Sequence, residues 1–138
     1  DLVIIVDTHN KDFIESRELY ESARAVVVID HHRKTVNFID DAVIFHHEPY
    51  ASSACEMVTE LIQYFRFETD ERFPSCYADA LLSGIMLDTK NFVMRTGVRT
   101  FEAAAFLKKN GRRYRCGKAP LLKFYRLLQA EGSDSFLR

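Results

Sequence analysis

The chain has 138 residues, of which 47% are hydrophobic and 28% charged, so it suits one globular domain and excludes a disordered chain. Its longest apolar runs are too short to cross a bilayer, no signal-like segment opens it, and three cysteines without metal-ligand spacing suit a reducing compartment. The net charge of −1 is unevenly distributed along the chain. Residues 1–107 are acidic, with 10 Lys/Arg and 18 Asp/Glu, whereas residues 108–138 are basic, with 9 Lys/Arg and 2 Asp/Glu. Such a basic tail can mark a nucleic-acid or membrane contact.

Two β-branched runs separated by a helical segment begin the chain. Leu2–Val6 and Ala25–Ile29 are continuously apolar, which predicts parallel strands buried on both faces. The intervening Lys11–Arg24 has loosely helical spacing and is predicted to form a crossover helix, which completes a right-handed βαβ unit. A strand buried on both faces belongs inside a sheet, so we expect the domain to be incomplete at the N-terminus.

The remainder of the sequence predicts one more strand and three helices. The strand is expected at Ala42–Phe45. Helices are expected after Ser52-Ser53, after Pro74, and after Thr100, which is predicted to be an N-cap. Strands that alternate with helices favour an α/β fold in which a parallel β-sheet is layered with helices.

Carboxylates and imidazoles follow both predicted strands. Asp7 and His9 come after the first strand, and Asp30, His31 and His32 come after the second. Ligands of open parallel sheets bind at the carboxyl ends of the strands. This mixture of donors suits Mn²⁺, Fe²⁺ or Zn²⁺, and Mn²⁺ best where carboxylates dominate. On the residues alone, a metal site and an ordinary set of turn and cap residues are equally favoured.

Three further groups are weighed in the same way. Asp88 ends an apolar helix surface and is another candidate carboxylate ligand. His46 and His47 look like a ligand pair, but their place in a predicted loop favours solvated imidazoles. Ser52 and Ser53 fit a plain helix N-cap and a phosphate-binding helix N-terminus equally well.

Three motifs in this order resemble the DHH phosphoesterases. They are Val6–Asn10, Ile29–Arg33, which contains the Asp-His-His triplet, and Gly84–Phe92. Glu48–Ser53 and Arg95–Ala104 are similar to the GdpP-type cyclic-di-AMP phosphodiesterases of that family. The resemblance covers residues 1–111, which we interpret as a partial DHH domain. Residues 112–138 form a basic C-terminal segment whose relation to that domain the sequence does not define. The alternatives are a reading frame unrelated to the domain and a divergent basic helix at Leu121–Ala130.

The resemblance implies a Rossmann-like domain of the DHH type that binds two metal ions, usually manganese. Asp7 matches the carboxylate that bridges both ions. His31 matches a metal-binding imidazole, and Asp88 matches the last carboxylate ligand. In a two-metal site the ions clamp the phosphate and lower the pKa of a shared water.

The remaining predicted site residues serve catalysis and substrate binding. His32 matches the position that meets the scissile phosphate, and Asp30 is expected to hold an imidazole in the correct tautomer. His9, Ser52 and Ser53 are the predicted substrate-binding residues.

The implied reaction is hydrolysis of the cyclic dinucleotide cyclic-di-AMP to linear pApA. The alternatives are another DHH phosphoesterase, such as a nanoRNA phosphatase or single-strand exonuclease, and a non-catalytic module that holds nucleotide or metal. The family's first metal-binding motif and its second domain are missing from this sequence, so we expect the isolated chain to be inactive. GdpP-type proteins carry membrane helices, which implies a membrane-anchored parent protein with this domain in the cytoplasm. An uncovered apolar first strand also favours association, for example as a homodimer.

Overall fold

A computed structural model describes residues 1–65, 73 and 75–110 of the chain. These residues form a three-stranded parallel sheet with helices packed against it. The strands are β1 (Leu2–Val6), β2 (Ala25–Asp30) and β3 (Ile44–His47), in the spatial order β1-β2-β3. The predicted α/β fold with a parallel sheet is confirmed. The predicted basic segment 112–138 lies outside the described residues.

Helices connect the strands and form a second layer. They are a 3₁₀ turn (Lys11–Phe13), α1 (Arg17–Ser22), α2 (Ala54–Ile62), α3 (Ser75–Asp88) and α4 (Val98–Asn110). None of the helices in the described ranges is long and apolar enough to cross a bilayer.

The crossover between β1 and β2 is not the continuous helix that the spacing predicted. The Asn10 side chain accepts a hydrogen bond from the Asp12 amide and starts the 3₁₀ turn. Ile14 is extended, and Ser16 then caps α1 by accepting from the Leu19 amide. Two side-chain caps close together therefore divide the segment into two short elements, because each cap supplies a helix start.

The two faces of the sheet are covered unequally. Val28 of β2 packs with Ile5 and Ile39 on one face, and Ile29 packs with Ala51 and Met57 on the other. The prediction that β1 is also buried on both faces is wrong, because one face of this strand is open. Its exposed side chains are Leu2 (58%), Ile4 (55%) and Val6 (44%). Helix α2 packs against β2, the central strand, and the described helices leave this face of β1 open.

Helices α2, α3 and α4 pack together around a separate apolar core. The buried members of this core are Ala78, Leu82, Ile85, Ala103 and Leu107. A Cβ atom at Gly84 would lie 2.2 Å from the Cys55 Sγ atom, so this glycine permits close approach of α3 to α2. Arg99 of α4 holds α2 through two 2.8 Å hydrogen bonds to the Glu60 carboxylate.

Two element boundaries differ from the predicted ones. Helix α4 begins at Val98, so Thr100 is not its N-cap. Instead the Thr100 hydroxyl accepts a 3.1 Å hydrogen bond from the Gly97 amide, just before the helix. Strand β3 lies two residues later than predicted, which places His46 and His47 in a strand rather than in a loop. Its register is set by pairing with β2, where His47 lies opposite Asp30.

Candidate metal and phosphoester site

Three predicted metal-binding residues meet where two strands and a helix end. Asp7 follows β1, His31 follows β2, and Asp88 is the last residue of α3. The His31 Nε2 atom lies 3.3 Å from Asp7 Oδ1 and 3.9 Å from Asp88 Oδ2. The structure therefore brings two carboxylates to one ring nitrogen, at the sheet edge where α/β folds bind ligands.

Asp7 leaves the strand with an unusual backbone conformation. Its φ angle of 68° lies in the left-handed region, while its amide still donates a 2.9 Å hydrogen bond to the Ile29 carbonyl of the neighbouring strand. Asp is one of the few residue types other than glycine that adopt this conformation readily. The backbone thus turns at the point where the carboxylate is presented.

A contact with the Ala51 carbonyl sets the orientation of the His31 ring. His31 is buried, and its Nδ1 atom lies 3.4 Å from the Ala51 carbonyl oxygen, which only accepts hydrogen bonds. Nδ1 therefore carries the proton, and Nε2 faces the two carboxylates. The hydrogen bond with Asp7 raises the pKa of His31 above its ordinary value, against the opposing effect of burial.

The charges of this cluster fit a bound cation. Burial, followed by the nearby negative charge of Asp7, raises the pKa of Asp88 above its ordinary value. Asp7, His31 and His32 each offer a ligand atom within 4.8 Å of the others. Because a divalent cation would relieve the repulsion between the Asp7 and Asp88 carboxylates, and because oxygen and imidazole donors suit Mn²⁺, Fe²⁺ and Zn²⁺, Asp7, His31 and Asp88 fit a metal ion.

His32 presents an exposed ring beside this cluster. Its side chain is 56% exposed, and its Nδ1 atom lies 4.0 Å from Asp7 Oδ1. Nδ1 donates a 2.7 Å hydrogen bond to Asp30 Oδ1, and the His32 amide lies 3.3 Å from the same oxygen. Asp30 thereby fixes the ring, and none of the described residues bonds to its Nε2 atom.

Asp30 lies behind His32 and is completely buried. Its second oxygen accepts a hydrogen bond from Nδ1 of His9, and His9 Nε2 in turn accepts a 2.9 Å hydrogen bond from the Thr35 amide. Burial acts to raise the pKa of Asp30, but the hydrogen bonds from His9 and His32 outweigh it and lower that pKa. The carboxylate is therefore held ionised between two imidazoles.

His9 is buried next to Asp30. It is only 2% exposed, and Asp30 and Thr35 take both of its ring nitrogens. The His9 ring thus supports Asp30, and contact between His9 and a substrate stays a prediction.

His47 belongs to the same group, although sequence reasoning favoured a solvated imidazole. Its Nε2 atom donates a 2.5 Å hydrogen bond to the His32 carbonyl, and its ring packs edge-on against His9 with centroids 5.2 Å apart. Its position at the end of a strand could have indicated this role. The sequence analysis missed it because the strand was predicted two residues too early.

Ser52 and Ser53 are buried at the start of α2 rather than open to solvent. Ser53 caps the helix by accepting a 3.0 Å hydrogen bond from the Glu56 amide, and the Ser52 hydroxyl donates to the Glu56 carboxylate at 2.5 Å. The N-cap alternative is thus observed for Ser53. Contact of either serine with a substrate stays a prediction.

Two cyclic-di-AMP phosphodiesterases are similar in sequence to most of this chain. Cyclic-di-AMP phosphodiesterase PdeA of Listeria monocytogenes is 48% identical over 111 residues, which are 80% of this chain and 16% of that protein. Cyclic-di-AMP phosphodiesterase GdpP of Bacillus subtilis is 44% identical over 110 residues, with the same coverage of 80% and 16%. The chain thus spans about one sixth of the length of these curated relatives.

Solved structures and family comparison agree with this fold. An exopolyphosphatase-related protein from Bacteroides fragilis superposes with a TM-score of 0.68 at 22% identity, over 83% of this chain and 34% of that one. The family described as "DHH family, N-terminal domain" matches residues 1–85, which include Asp7 and the Asp30–His32 triplet. The chain therefore belongs to the DHH family.

Proposed function

We propose that the protein containing this chain is a metal-dependent phosphodiesterase that hydrolyses cyclic-di-AMP to linear pApA. The observation that carries this proposal is the convergence of Asp7, His31 and Asp88 beside the exposed His32 ring. The choice of cyclic-di-AMP is supported by the identity to PdeA and GdpP.

The residues divide the work of phosphodiester hydrolysis between them. Asp7, His31 and Asp88 would hold Mn²⁺, which supplies charge neutralisation of the phosphate and an activated water when bound. The free Nε2 side of His32 can contact a phosphate oxygen, and Asp30 stabilises positive charge on that ring as the phosphate approaches. His9 and Thr35 keep Asp30 oriented through the buried hydrogen bonds described above.

The setting of the site is also part of the proposal. We propose Mn²⁺ as the metal, a cytoplasmic domain of a membrane-anchored parent, and self-association through the open face of β1. The exposed Leu2, Ile4 and Val6 side chains support the last point, because an uncovered apolar strand favours pairing with another surface.

The test compares two substitutions in the intact protein. Asp7→Asn should lose both bound manganese and turnover, because Asp7 is a metal ligand. His32→Gln should lose turnover by roughly a hundredfold while retaining most of the metal. Asp12→Asn is a matched control, since this exposed carboxylate lies on the 3₁₀ turn and binds Asn37.

Bound metal and pApA formation are measured on the same samples. Equal loss of metal in the Asp7 and His32 variants would contradict the assigned roles. Faster release of mononucleotides from a short RNA than of pApA from cyclic-di-AMP would favour another DHH phosphoesterase activity.

A further inference from the structure

A buried carboxylate in α2 has no charged partner. Glu56 is 1% exposed, and among the residues that the structure describes no lysine, arginine or histidine lies within ion-pair distance of it. Arg99, on the neighbouring α4, binds Glu60 instead. Because burial of a carboxylate without a cation is costly, hydrogen bonds must stabilise Glu56 at this position.

These hydrogen bonds join Glu56 to the segment that precedes α2. The Ser52 amide donates to Glu56 Oε1 at 3.4 Å, and the Ser52 hydroxyl donates to Oε2 at 2.5 Å. The Glu56 amide donates in turn to the hydroxyl of Ser53, the N-cap residue, at 3.0 Å. In an ordinary capping box the glutamate bonds to the amide of the N-cap residue itself. Here its side chain reaches one residue further, so Glu56 does more than cap α2.

The amide that Glu56 holds belongs to the same peptide group as the carbonyl that contacts His31. Ser52 supplies the N–H of this group, and Ala51 supplies its C=O, which lies 3.4 Å from His31 Nδ1. A trans peptide group is planar, and its N–H and C=O point in opposite directions. One rigid plane therefore connects the Glu56 carboxylate on one side to the His31 ring on the other.

Burial makes Glu56 hard to replace in this arrangement. Ala51 and Ser52 are 3% and 1% exposed, so solvent cannot readily take over the hydrogen bond of the Ser52 amide. The Ala51 amide donates to the Glu48 carbonyl at 3.0 Å, which holds the segment from the other end. Loss of the Glu56 carboxylate would leave a buried N–H group unpaired, and the peptide plane would have to rotate to satisfy it.

We propose that Glu56 is a positioning residue of the metal site. Through the Ala51–Ser52 peptide group it fixes the carbonyl that keeps His31 Nε2 directed at Asp7 and Asp88. A negative charge at the N–H side also polarises the peptide group and strengthens its carbonyl as an acceptor. Groups that orient a metal-binding histidine in this way also make it a better ligand. The inference rests on the proposed function, because it takes His31 to be a metal ligand.

The first test measures the Mn²⁺ affinity of the intact protein by competition with a chelator, without substrate. Glu56→Ala should weaken this affinity by roughly ten- to hundredfold, the usual effect of removing a group that orients a metal ligand. Glu56→Gln should lose less, because its side-chain oxygen can still accept from the Ser52 amide. Thr59→Ala is the matched control, since Thr59 is buried in the same helix and its hydroxyl donates to the Cys55 carbonyl. This control perturbs α2 without changing the contacts of Ser52, and it should leave the affinity unchanged.

The second test is independent of metal binding. In a metal-free crystal structure of the intact Glu56→Ala protein, the Ala51 carbonyl should turn away from His31 Nδ1, whereas the Thr59→Ala protein should keep this contact. If Glu56→Ala does not fold, Glu56→Asp takes its place with the same expectations, because it keeps the charge but is one methylene too short to reach Ser52.

Each result decides the inference. An Ala51–His31 contact that persists without the Glu56 side chain would overturn it. Equal losses of Mn²⁺ affinity in Glu56→Ala and Thr59→Ala would also overturn it, because the effect would then come from the stability of α2. If the unsubstituted intact protein binds no Mn²⁺, the proposed function fails, and the crystal structures alone decide whether Glu56 positions His31.

Discussion

The contact between α2 and α3 predicts a large effect from adding one methyl group at Gly84. An alanine Cβ at this position would lie 2.2 Å from Cys55 Sγ and 3.2 Å from Cys55 Cβ. The first distance is far inside van der Waals contact, so Cys55 must rotate or the helices must separate. Overpacking of this kind costs about 1–3 kcal/mol, and the higher helix propensity of alanine returns about 1 kcal/mol. Because an approach of 2.2 Å is a severe overlap, we take the upper end of the overpacking cost and expect Gly84→Ala to lower the free energy of unfolding by about 2 kcal/mol.

Urea unfolding of Gly84→Ala, Cys55→Ala and the double variant measures this effect. Removal of the sulfur should relieve most of the clash, so the double variant should be more stable than the sum of the single losses by about 1 kcal/mol. Helix α3 ends at Asp88, so separation of the helices should also weaken manganese binding in Gly84→Ala. Additive losses, or a Gly84→Ala protein at least as stable as the unsubstituted one, would refute the packing argument.

Three further substitutions test other contacts. Asp30→Asn should reduce the kcat of the intact protein by roughly tenfold or more, because Asp30 orients His32. It should leave more manganese bound than Asp7→Asn does, because Asp30 is not itself at the metal cluster. Turnover and metal content check both expectations. Ser53→Ala should cost about 1 kcal/mol of unfolding free energy in urea, since it removes the N-cap of α2, and an unchanged midpoint would contradict that role. Arg99→Met should cost about 0.5–1 kcal/mol at low salt and less in 1 M NaCl, because it removes a partly exposed ion pair with Glu60, and a cost independent of salt would point to lost packing instead.

The order of strands and helices could be predicted from the sequence because apolar runs and caps are local signals. The run at Ala25–Ile29 forms a strand as predicted, and Ser53 takes the N-cap position that was one of its two alternatives. Coverage of a strand is not a local property, which explains the error at β1. Val28 and Ile4 stand in equally apolar runs, yet Val28 is fully buried and Ile4 is 55% exposed, because the described helices cover the second face of the central strand only.

The residue types of the site were also predictable, but their partners were not. Placement of Asp7 and His31 at adjacent strand ends follows from parallel pairing. The burial of His9 behind Asp30 depends on side-chain rotamers and on the Thr35 amide, 26 residues away, which spacing along the chain does not encode. His47 lies beside His9 and His32 because the register of β3 with β2 places it opposite Asp30.

The left-handed backbone at Asp7 makes the requirements of folding at this position different from the requirements of catalysis. The φ angle of 68° favours Asp, Asn or Gly and disfavours β-branched residues, whatever chemistry the side chain performs. In a library of all substitutions at this position, selection for folded protein should therefore retain Asn and Gly and remove Val and Ile. Selection for turnover should retain Asp alone. A charge-preserving Glu passes neither selection well, because its longer chain lacks the local hydrogen bonding that makes the left-handed conformation accessible to Asp. The turn at the end of β1 therefore limits which side chains can replace Asp7 before metal binding does so.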